Sequence, residues 1–349
     1  MNSSSTILKN IKSNVPLLKT KRHLHLPNGK WMETLSVLIW MSCGPVLLMV
    51  TSYLLYHYIV ARYLFLAYLI WIYLDRDTCE RGGRRIQWVR ELKFFKYMKD
   101  YFPVELVKQV DLPTDKNYLF AVFPHGIMSM SSLLVFGTDA LNFEKVFEGI
   151  KTHICTLKVN FKMPLLREVA FACGGVAASR KSLNWILSNP KKGYSATLIV
   201  GGAAESLYTE PGKYKLCLKN RKGFCRIALQ NGSPLVPVFS FGEIDIFKQV
   251  KFDGHPWMNS FQMWFKKLTG IAPIIFFGKG IFGDYKGFIP RKLPLTVVVG
   301  KPIPVDKIEN PTEEDVEGLH RRFIEDIIKL FDEEKHKYLE EPDTDLIIA

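Results

Sequence analysis

The sequence is poor in the residues from which metal centres and ready-made nucleophiles are built. Its six cysteines (Cys43, Cys79, Cys155, Cys173, Cys217 and Cys225) form no Cys-x-x-Cys pair and do not cluster with histidine. Reduced thiols facing the cytosol are expected, with no bound metal. No GxSxG elbow occurs, which leaves a hydrolase-type serine unsupported, and no GxxxxGK(S/T) loop is present to cradle a nucleotide phosphate. Acidic residues are also scarce relative to basic ones. With 34 Asp and Glu against 47 Lys and Arg, the formal net charge is +13. An excess of that size points to an anionic partner, whether nucleic acid, anionic lipid or an acidic nucleotide-like cofactor, and does not choose among them. Internal repeats and low-complexity segments are absent.

What is present is apolar. Hydrophobic residues make up 48% of the 349 residues, enough for one large α/β domain or two modest ones and too many for a disordered chain. The sharpest break in composition is residues 35 to 74, forty residues whose one formal charge is Arg62. A bilayer core needs about 20 apolar residues per helix, so this block fits a tight hairpin of two helices turning at Tyr56-His57-Tyr58. Lys9, Lys12, Lys19, Lys21, Arg22 and Lys30 precede it, and Arg76, Arg81, Arg84, Arg85 and Arg90 follow. Basic flanks on both sides place both on the cytosolic face, which requires an even number of crossings. A cleaved signal peptide does not fit, because the block is too long and starts too late. The chain thus divides into a basic cytosolic tail (1–34), a transmembrane hairpin (35–74) and a cytosolic domain (75–349) ending in a charged helix over Pro311 to Leu339.

Within that domain, short apolar runs read as buried strands: Tyr118 to Phe123, Thr197 to Val200, Leu235 to Phe241, Pro273 to Phe277 and Leu295 to Val299. Helical stretches alternate with them at Glu144 to Gly149, Ser182 to Leu187 and Gly223 to Gln230, the last stopped by Asn231-Gly232. This alternation predicts an α/β fold with a mostly parallel central sheet flanked by helices. Residues 84 to 102 mix aromatics with Arg90, Lys93, Lys96 and Lys99, a pattern that suits either a helix on a membrane surface or an ordinary core-facing helix. Trp257, Phe261, Trp264, Phe265 and Leu268 fall on one helical face beside Lys266 and Lys267, and core packing is the expectation there. The Gly278–Gly283 segment matches GxGxxG, but no helix follows it to carry a pyrophosphate, so it reads as a glycine-rich connection.

Eight histidines are present. His23 and His25 lie in the basic tail, His57 in the apolar block, and His320 and His336 on the charged C-terminal helix, all poor settings for a catalytic base. His125, His153 and His255 remain. Only His125, in Phe123-Pro124-His125-Gly126, closes a buried-type strand between a proline and a glycine, where a side chain is fixed and a substrate can approach the backbone. A histidine at a strand end is more often structural, so the tetrapeptide does not decide the matter alone. The second cluster is Gly201-Gly202-Ala203-Ala204-Glu205, after the strand ending at Val200. Parallel strands present their loops at one carboxyl edge, so a base and a carboxylate can converge there. A carboxylate serving a helix N-terminus explains Glu205 equally well.

An ordered set of motifs is more specific than any one of them. ERGGRR at 80–85, DYFP at 100–103, FPHGI at 123–127, PLLRE at 164–168, GGAAE at 201–205, RKGF at 221–224, ALQNGSPLVPVFSFGE at 228–243 and VVVGKPIP at 297–304 together resemble the diacylglycerol acyltransferase 2 and monoacylglycerol acyltransferase family, and the 35–74 hairpin resembles its membrane anchor. More distantly, the motif order is similar to glycerolipid acyltransferases that use a His-x4-Asp pair. His125 then corresponds to their histidine, Val176 to Arg180 to their second motif, Glu205 to the glutamate of the third and Pro234 to Val238 to the fourth. Three departures stand out. Met130 occupies the position of the aspartate that orients the histidine, leaving Glu205 as the candidate for that task. Ser206 and Leu207 stand where phosphate-ester enzymes carry an arginine, which suits an acceptor without phosphate. Phe123 replaces the first histidine of the family's HPHG.

The resemblance implies transfer of a fatty acyl group from acyl-CoA, as co-substrate with no bound cofactor, to a neutral lipid hydroxyl, foremost that of diacylglycerol. Monoacylglycerol, a long-chain alcohol or retinol as acceptor, or an inactive membrane-anchored lipid-binding protein, are the alternatives. His125 and Glu205 are the catalytic candidates, and Pro124, Gly126, Gly201 and Gly202 form the site loops that supply oxyanion donors. Arg180, Lys219, Arg221 and Lys222 are candidates for the CoA phosphates, against the commoner reading of a solvated charge run. A multi-pass protein of the endoplasmic reticulum membrane is implied, with both termini cytosolic and access to lipid-droplet surfaces. Nucleic acid is not an implied partner, and self-association is left open.

Overall fold

The computed structural model describes residues 31–251, 256–270, 273–280 and 283–349. The basic tail before residue 31, His255 and the Ile281-Phe282 centre of the glycine-rich segment lie outside the described residues.

Tyr118–Phe123 shows how the sequence builds the fold. Every residue of this strand is buried, and alternate side chains enter two different cores. Leu119, Ala121 and Phe123 join one cluster with the helices Arg180–Leu187, Gly223–Asn231 and Glu313–Tyr338. Tyr118, Phe120 and Val122 join the other, with residues of the helix Lys93–Tyr101 and the turn Leu133–Gly137. A strand covered on both faces needs no polar alternation, so it reads as an unbroken apolar run.

Twelve strands are described, β1 Val104–Lys108, β2 Tyr118–Phe123, β3 Lys151–Thr156, β4 Gly175–Ala177, β5 Tyr194–Ile199, β6 Lys215–Leu216, β7 Leu235–Phe241, β8 Lys248–Gln249, β9 Phe276–Gly280, β10 Gly283–Gly287, β11 Leu295–Val299 and β12 Ile347–Ile348. The main sheet has seven strands in the order β1-β11-β7-β2-β5-β3-β4. Among the described residues its only antiparallel pairing is β11 with β7. The expected α/β class with a mostly parallel sheet is therefore what the chain forms, and β2 sits between β7 and β5, both parallel to it.

Several expectations shift on contact with the structure. Strands β1, β3 and β4 had no clear signal in the sequence: β1 is a charged edge strand, Lys-Thr-His-Ile-Cys-Thr hides β3 among polar residues, and β4 is three residues long. Residues 84–102 form two short helices, Gln87–Arg90 and Lys93–Tyr101, and bury Arg90, Phe95, Met98 and Tyr101, so their main apolar face meets the core. The glycine-rich segment supplies β9 and β10, which pair antiparallel, and among the described residues no helix opens after it.

The apolar block forms helix α1 (Trp31–His57) and helix α2 (Ile59–Leu74), separated at Tyr58, whose backbone is extended. Arg62 explains its presence in an otherwise uncharged block: its Nε donates to Leu55 O at 2.7 Å and its Nη2 to Tyr56 O at 2.8 Å. The lone charge thus satisfies carbonyls orphaned at the end of α1. Among the described residues α1 alone is long and apolar enough to cross a membrane. At 16 residues, α2 spans about 24 Å, short of a hydrocarbon core of about 30 Å. The two full crossings expected from the sequence are not supplied by the helix lengths.

Both helices are moored to the domain. Val37 of α1 is buried in the second core, and Glu33 pairs with Lys292 at 2.6 Å. On α2, Tyr68 donates to Glu168 Oε1 and accepts from Leu165 N–H, each at 3.1 Å. Just past α2, Asp75 meets the fully buried Arg167 at 2.6 Å and Arg84 at 2.8 Å, and both arginines also reach Glu168. Burial opposes ionisation of Asp75, but hydrogen bonds from Thr78, Arg167 and Arg84 outweigh it and hold the carboxyl below its ordinary range. The stability it contributes is therefore present above its unfolded value of 3.8 and lost as pH falls through the lower folded one. Replacing Arg167 by Ala leaves Asp75 and Glu168 with Arg84 alone and is expected to cost about 1.5–3 kcal/mol, read as a fall in the unfolding midpoint of the purified protein. An unchanged midpoint would show that this network does not secure α2.

Candidate active site

Three adjacent parallel strands end at one edge of the sheet, and each delivers one residue. From β2 the chain passes through a cis Phe123–Pro124 peptide to His125. From β5 it passes through Gly201 into the short helix Gly202–Ser206, which carries Glu205. From β7 it turns at Gly242 to Glu243. Because β2 lies between the other two, its loop is within reach of a carboxylate from each side.

Both carboxylates take hold of main chain. Glu205 Oε2 accepts from His125 N–H at 2.6 Å, and Oε1 accepts from Cys217 N–H at 2.9 Å. Glu243 accepts from Met130 N–H and Ser131 N–H, each at 2.8 Å. Ser129 closes the turn by donating its hydroxyl to His125 O at 2.8 Å. Each carboxylate is only 1% exposed. Burial pushes each up to about 7, against the opposing pull of the N–H donors. The glycines are needed for space: a Cβ on Gly126, whose φ is +60°, would stand 2.7 Å from Glu243 Cγ, and one on Gly201 would overlap the Glu205 carboxylate.

The imidazole has its own partners. His125 Nδ1 lies 2.8 Å from Ser206 Oγ and 3.1 Å from Gly126 O. A carbonyl oxygen can only accept, so its presence on the same nitrogen favours a proton on Nδ1. Among the described residues no hydrogen bond reaches Nε2, which leaves its lone pair unshared. Burial lowers the histidine below its ordinary 6.5, so the ring is neutral at physiological pH. A neutral ring with a fixed tautomer and an unshared nitrogen has the form of a general base.

Glu205 was expected to orient this ring, and it does not touch it. Its two oxygens are occupied by the His125 and Cys217 amides, so it fixes where the histidine stands while Ser206 fixes how it faces. Ser206 was noted in the sequence only as the residue replacing an arginine. Glu243 was passed over although it ends the ALQNGSPLVPVFSFGE motif. Its signal was available: it follows a buried strand by two residues, as His125 follows β2. Phe123 and Met130, two of the three departures, both serve the framework. The Phe123 ring is buried against Phe323 of the C-terminal helix, and Met130 contributes a main-chain donor to Glu243.

The remaining candidates divide. Pro124 and Gly126 are buried in the histidine loop, with Gly201 and Gly202 beside Glu205. Arg221 is exposed, and its charge acts on Glu205 and on the neighbouring Cys217 thiol. Lys219 is exposed close to it in sequence, and Arg180 is exposed after β4 at the same edge of the sheet. Lys222 is instead paired with Glu317 of the C-terminal helix. His153 lies within β3, stacked on Tyr194 and lowered to about 4 by burial and then by Arg85, so it is a core residue. His320 is buried with its Nε2 3.0 Å from Leu218 O.

A family model described as diacylglycerol acyltransferase matches residues 53–349. Human diacylglycerol O-acyltransferase 2 is 41% identical over 312 residues, covering 88% of this chain and 80% of the relative. Bovine 2-acylglycerol O-acyltransferase 1 is 40% identical over 317 residues, covering 90% and 95%. Among solved structures, a 1-acyl-sn-glycerophosphate acyltransferase from Thermotoga maritima aligns over 88% of this chain and 97% of that one, at 13% identity and a TM-score of 0.43.

The buried carboxylates predict an unusual pH response. A group raised from 4.5 to about 7 adds stability that is full below 4.5 and lost as pH rises through 7. Unfolding measured from pH 5 to 8 is expected to show Glu205→Gln and Glu243→Gln each losing less stability, or gaining more, with rising pH than the unmodified chain, the depressed His125 and His153 acting in the opposite sense in all three proteins. An unaltered slope in both variants would mean that neither carboxyl holds a proton near neutrality.

Proposed function

The chain belongs to the diacylglycerol acyltransferase family, and from that premise we propose that His125 is the general base that lets a neutral glycerolipid hydroxyl attack the thioester of acyl-CoA. The observation that carries this reading is the His125 ring itself, neutral, with Nδ1 satisfied by Ser206 and Gly126 and Nε2 unshared.

An alcohol is a weak nucleophile at neutral pH. As its oxygen bonds to the thioester carbonyl carbon, Nε2 takes the hydroxyl proton, a transfer worth about 10² to 10⁴ in rate. The carbonyl oxygen becomes an oxyanion, for which main-chain N–H groups of the Gly126 and Gly201-Gly202 loops are the proposed donors. Collapse re-forms the carbonyl, breaks the carbon–sulfur bond and expels CoA thiolate, which recovers the proton from the imidazolium. Direct transfer is favoured over an acyl-enzyme. Ser206 is the hydroxyl nearest the base, yet it is buried and receives the Nδ1 proton rather than giving one up. Glu205 and Glu243 are positioning residues, since the hydrogen bonds of both go to main-chain N–H groups and not to the ring.

For the CoA phosphates the proposed contacts are Arg221, Lys219 and Arg180, all exposed; Lys222 is already committed to Glu317. Diacylglycerol is the proposed acceptor, giving triacylglycerol, with monoacylglycerol as the second reading because relatives named for either acceptor match at similar identity. A phosphate-free acceptor suits a third motif in which Ser206 faces the histidine and no arginine follows Glu205. The inactive alternative loses its support, because Phe123 and Met130 are accommodated without disturbing the ring. We place the protein in the endoplasmic reticulum membrane, held through α1 and α2 with its domain on the cytosolic side.

Membranes carrying the chain, given one labelled acyl-CoA and a panel of diacylglycerol, monoacylglycerol, fatty alcohol and retinol, are expected to form triacylglycerol fastest. A different preferred acceptor would revise the substrate, and no transfer to any would overturn the reaction. The kcat/KM for acyl-CoA should rise with pH and level off at a midpoint below 6.5, because the base must be unprotonated. Labelled acyl-CoA without acceptor should leave no acyl group on Ser206, and stoichiometric labelling there would replace direct transfer by an acyl-enzyme.

A further inference from the structure

The helix Pro256–Thr269 is turned inside out relative to the expectation of core packing. Trp257 is 68% exposed, Phe261 50% and Trp264 58%, three positions on one helical stripe. Gln262 is buried instead, with its Nε2 donating to Pro273 O at 2.8 Å. The polar residue faces the protein and the aromatics face outward. Exposed Ile275 and Phe288, from neighbouring segments, add to the chain's outward apolar surface. A contiguous stripe of this size marks a contact surface rather than ordinary scatter.

Its surroundings say which contact. Gly270, at the end of the helix, lies against Leu157: a Cβ there would be 3.7 Å from Leu157 Cδ2. Leu157 opens the segment that runs through exposed Met163 to Leu165, whose N–H donates to Tyr68 of α2. The same segment therefore runs from the end of the aromatic helix to α2, whose outward face, like that of α1, is exposed apolar surface. Lys266 and Lys267 close the helix, and Lys266 lies near enough to the Cys217 thiol for its charge to act on it. Cys217 N–H is one of the two donors that hold Glu205. Tryptophan and phenylalanine with flanking lysine on a 14-residue helix are the composition of a segment that lies at the boundary of phospholipid headgroups and acyl chains, with the aromatics in the upper acyl region and lysine at the phosphates.

We infer that Pro256–Thr269 is a second membrane contact, docking by its Trp257-Phe261-Trp264 stripe on the phospholipid surface that holds α1 and α2. It would hold the histidine edge of the sheet against the surface where a water-insoluble acceptor resides. The inference rests on the reading of α1 and α2 as membrane-embedded, and the test separates the two.

The full chain is reconstituted in nanodiscs of phosphatidylcholine and phosphatidylserine, with plain or brominated acyl chains, and tryptophan emission is compared. Bromine quenches only indoles that reach the acyl region. Wild-type emission is expected to be quenched, with the fraction quenched falling in Trp257→Phe/Trp264→Phe. Trp71→Phe reads α2 in the same way. An undiminished quenched fraction in the double variant, with a fall in Trp71→Phe, would overturn the docking helix and leave the anchor standing. No quenching of the wild type would overturn both. The exposed positions make Phe a mild replacement, and unchanged melting of the double variant confirms that quenching reports position rather than unfolding.

Discussion

Two buried carboxylates gripping main-chain amides are the constraint on which the site depends. Glu205 takes the amide of His125 from the β5 side, and Glu243 takes the amides of Met130 and Ser131 from the β7 side. Neither interaction reaches the imidazole, but between them they fix the turn from which it projects. Hydrogen bonds to charged groups contribute about 1.5–3 kcal/mol each, and leaving such a group unsatisfied in the interior costs more. The same burial that makes these contacts strong raises both carboxyls to about 7. The loop is thus held by groups that sit near their own titration point at neutral pH. The imidazole is lowered by burial and remains neutral.

That arrangement follows from sheet order. A histidine delivered by a strand with parallel neighbours on both sides is flanked at the carboxyl edge by two further loops, and this chain uses both. The missing aspartate five residues after His125 is accounted for locally: Met130 stands there, and what it offers is an N–H for Glu243 rather than a carboxylate for the ring. Ser206, supplied by the same short helix as Glu205, takes over orientation of Nδ1. Position and orientation of the imidazole are assigned to different residues.

Much of this was legible in the sequence, and the reasons for the rest are physical. Strands β2, β7 and β11 announce themselves because both faces are buried, so their apolar runs are unbroken. His125 and Glu205 stand out because each follows such a run within a glycine-containing loop. Strand β3 did not, since Lys151, Thr152, His153 and Thr156 mask its periodicity, and His153 looked like a candidate base for the same reason. Ser206 could not be found, because a serine hydroxyl gains meaning only from the group it meets across 81 residues of sequence. The helix Pro256–Thr269 misled because an apolar stripe gives the same periodicity whether it faces a core or a lipid surface; only burial separates the two.

The central claim is that His125 supplies the base and that everything around it supplies placement. The most direct measurement is acyl transfer by purified membranes carrying His125→Ala, alongside protein abundance and unfolding midpoint. The expected result is a loss of roughly 10² to 10⁴ in turnover with abundance and midpoint unchanged, since Glu205 and Glu243 bind main chain that alanine retains. Turnover near that of the unmodified chain would contradict the account.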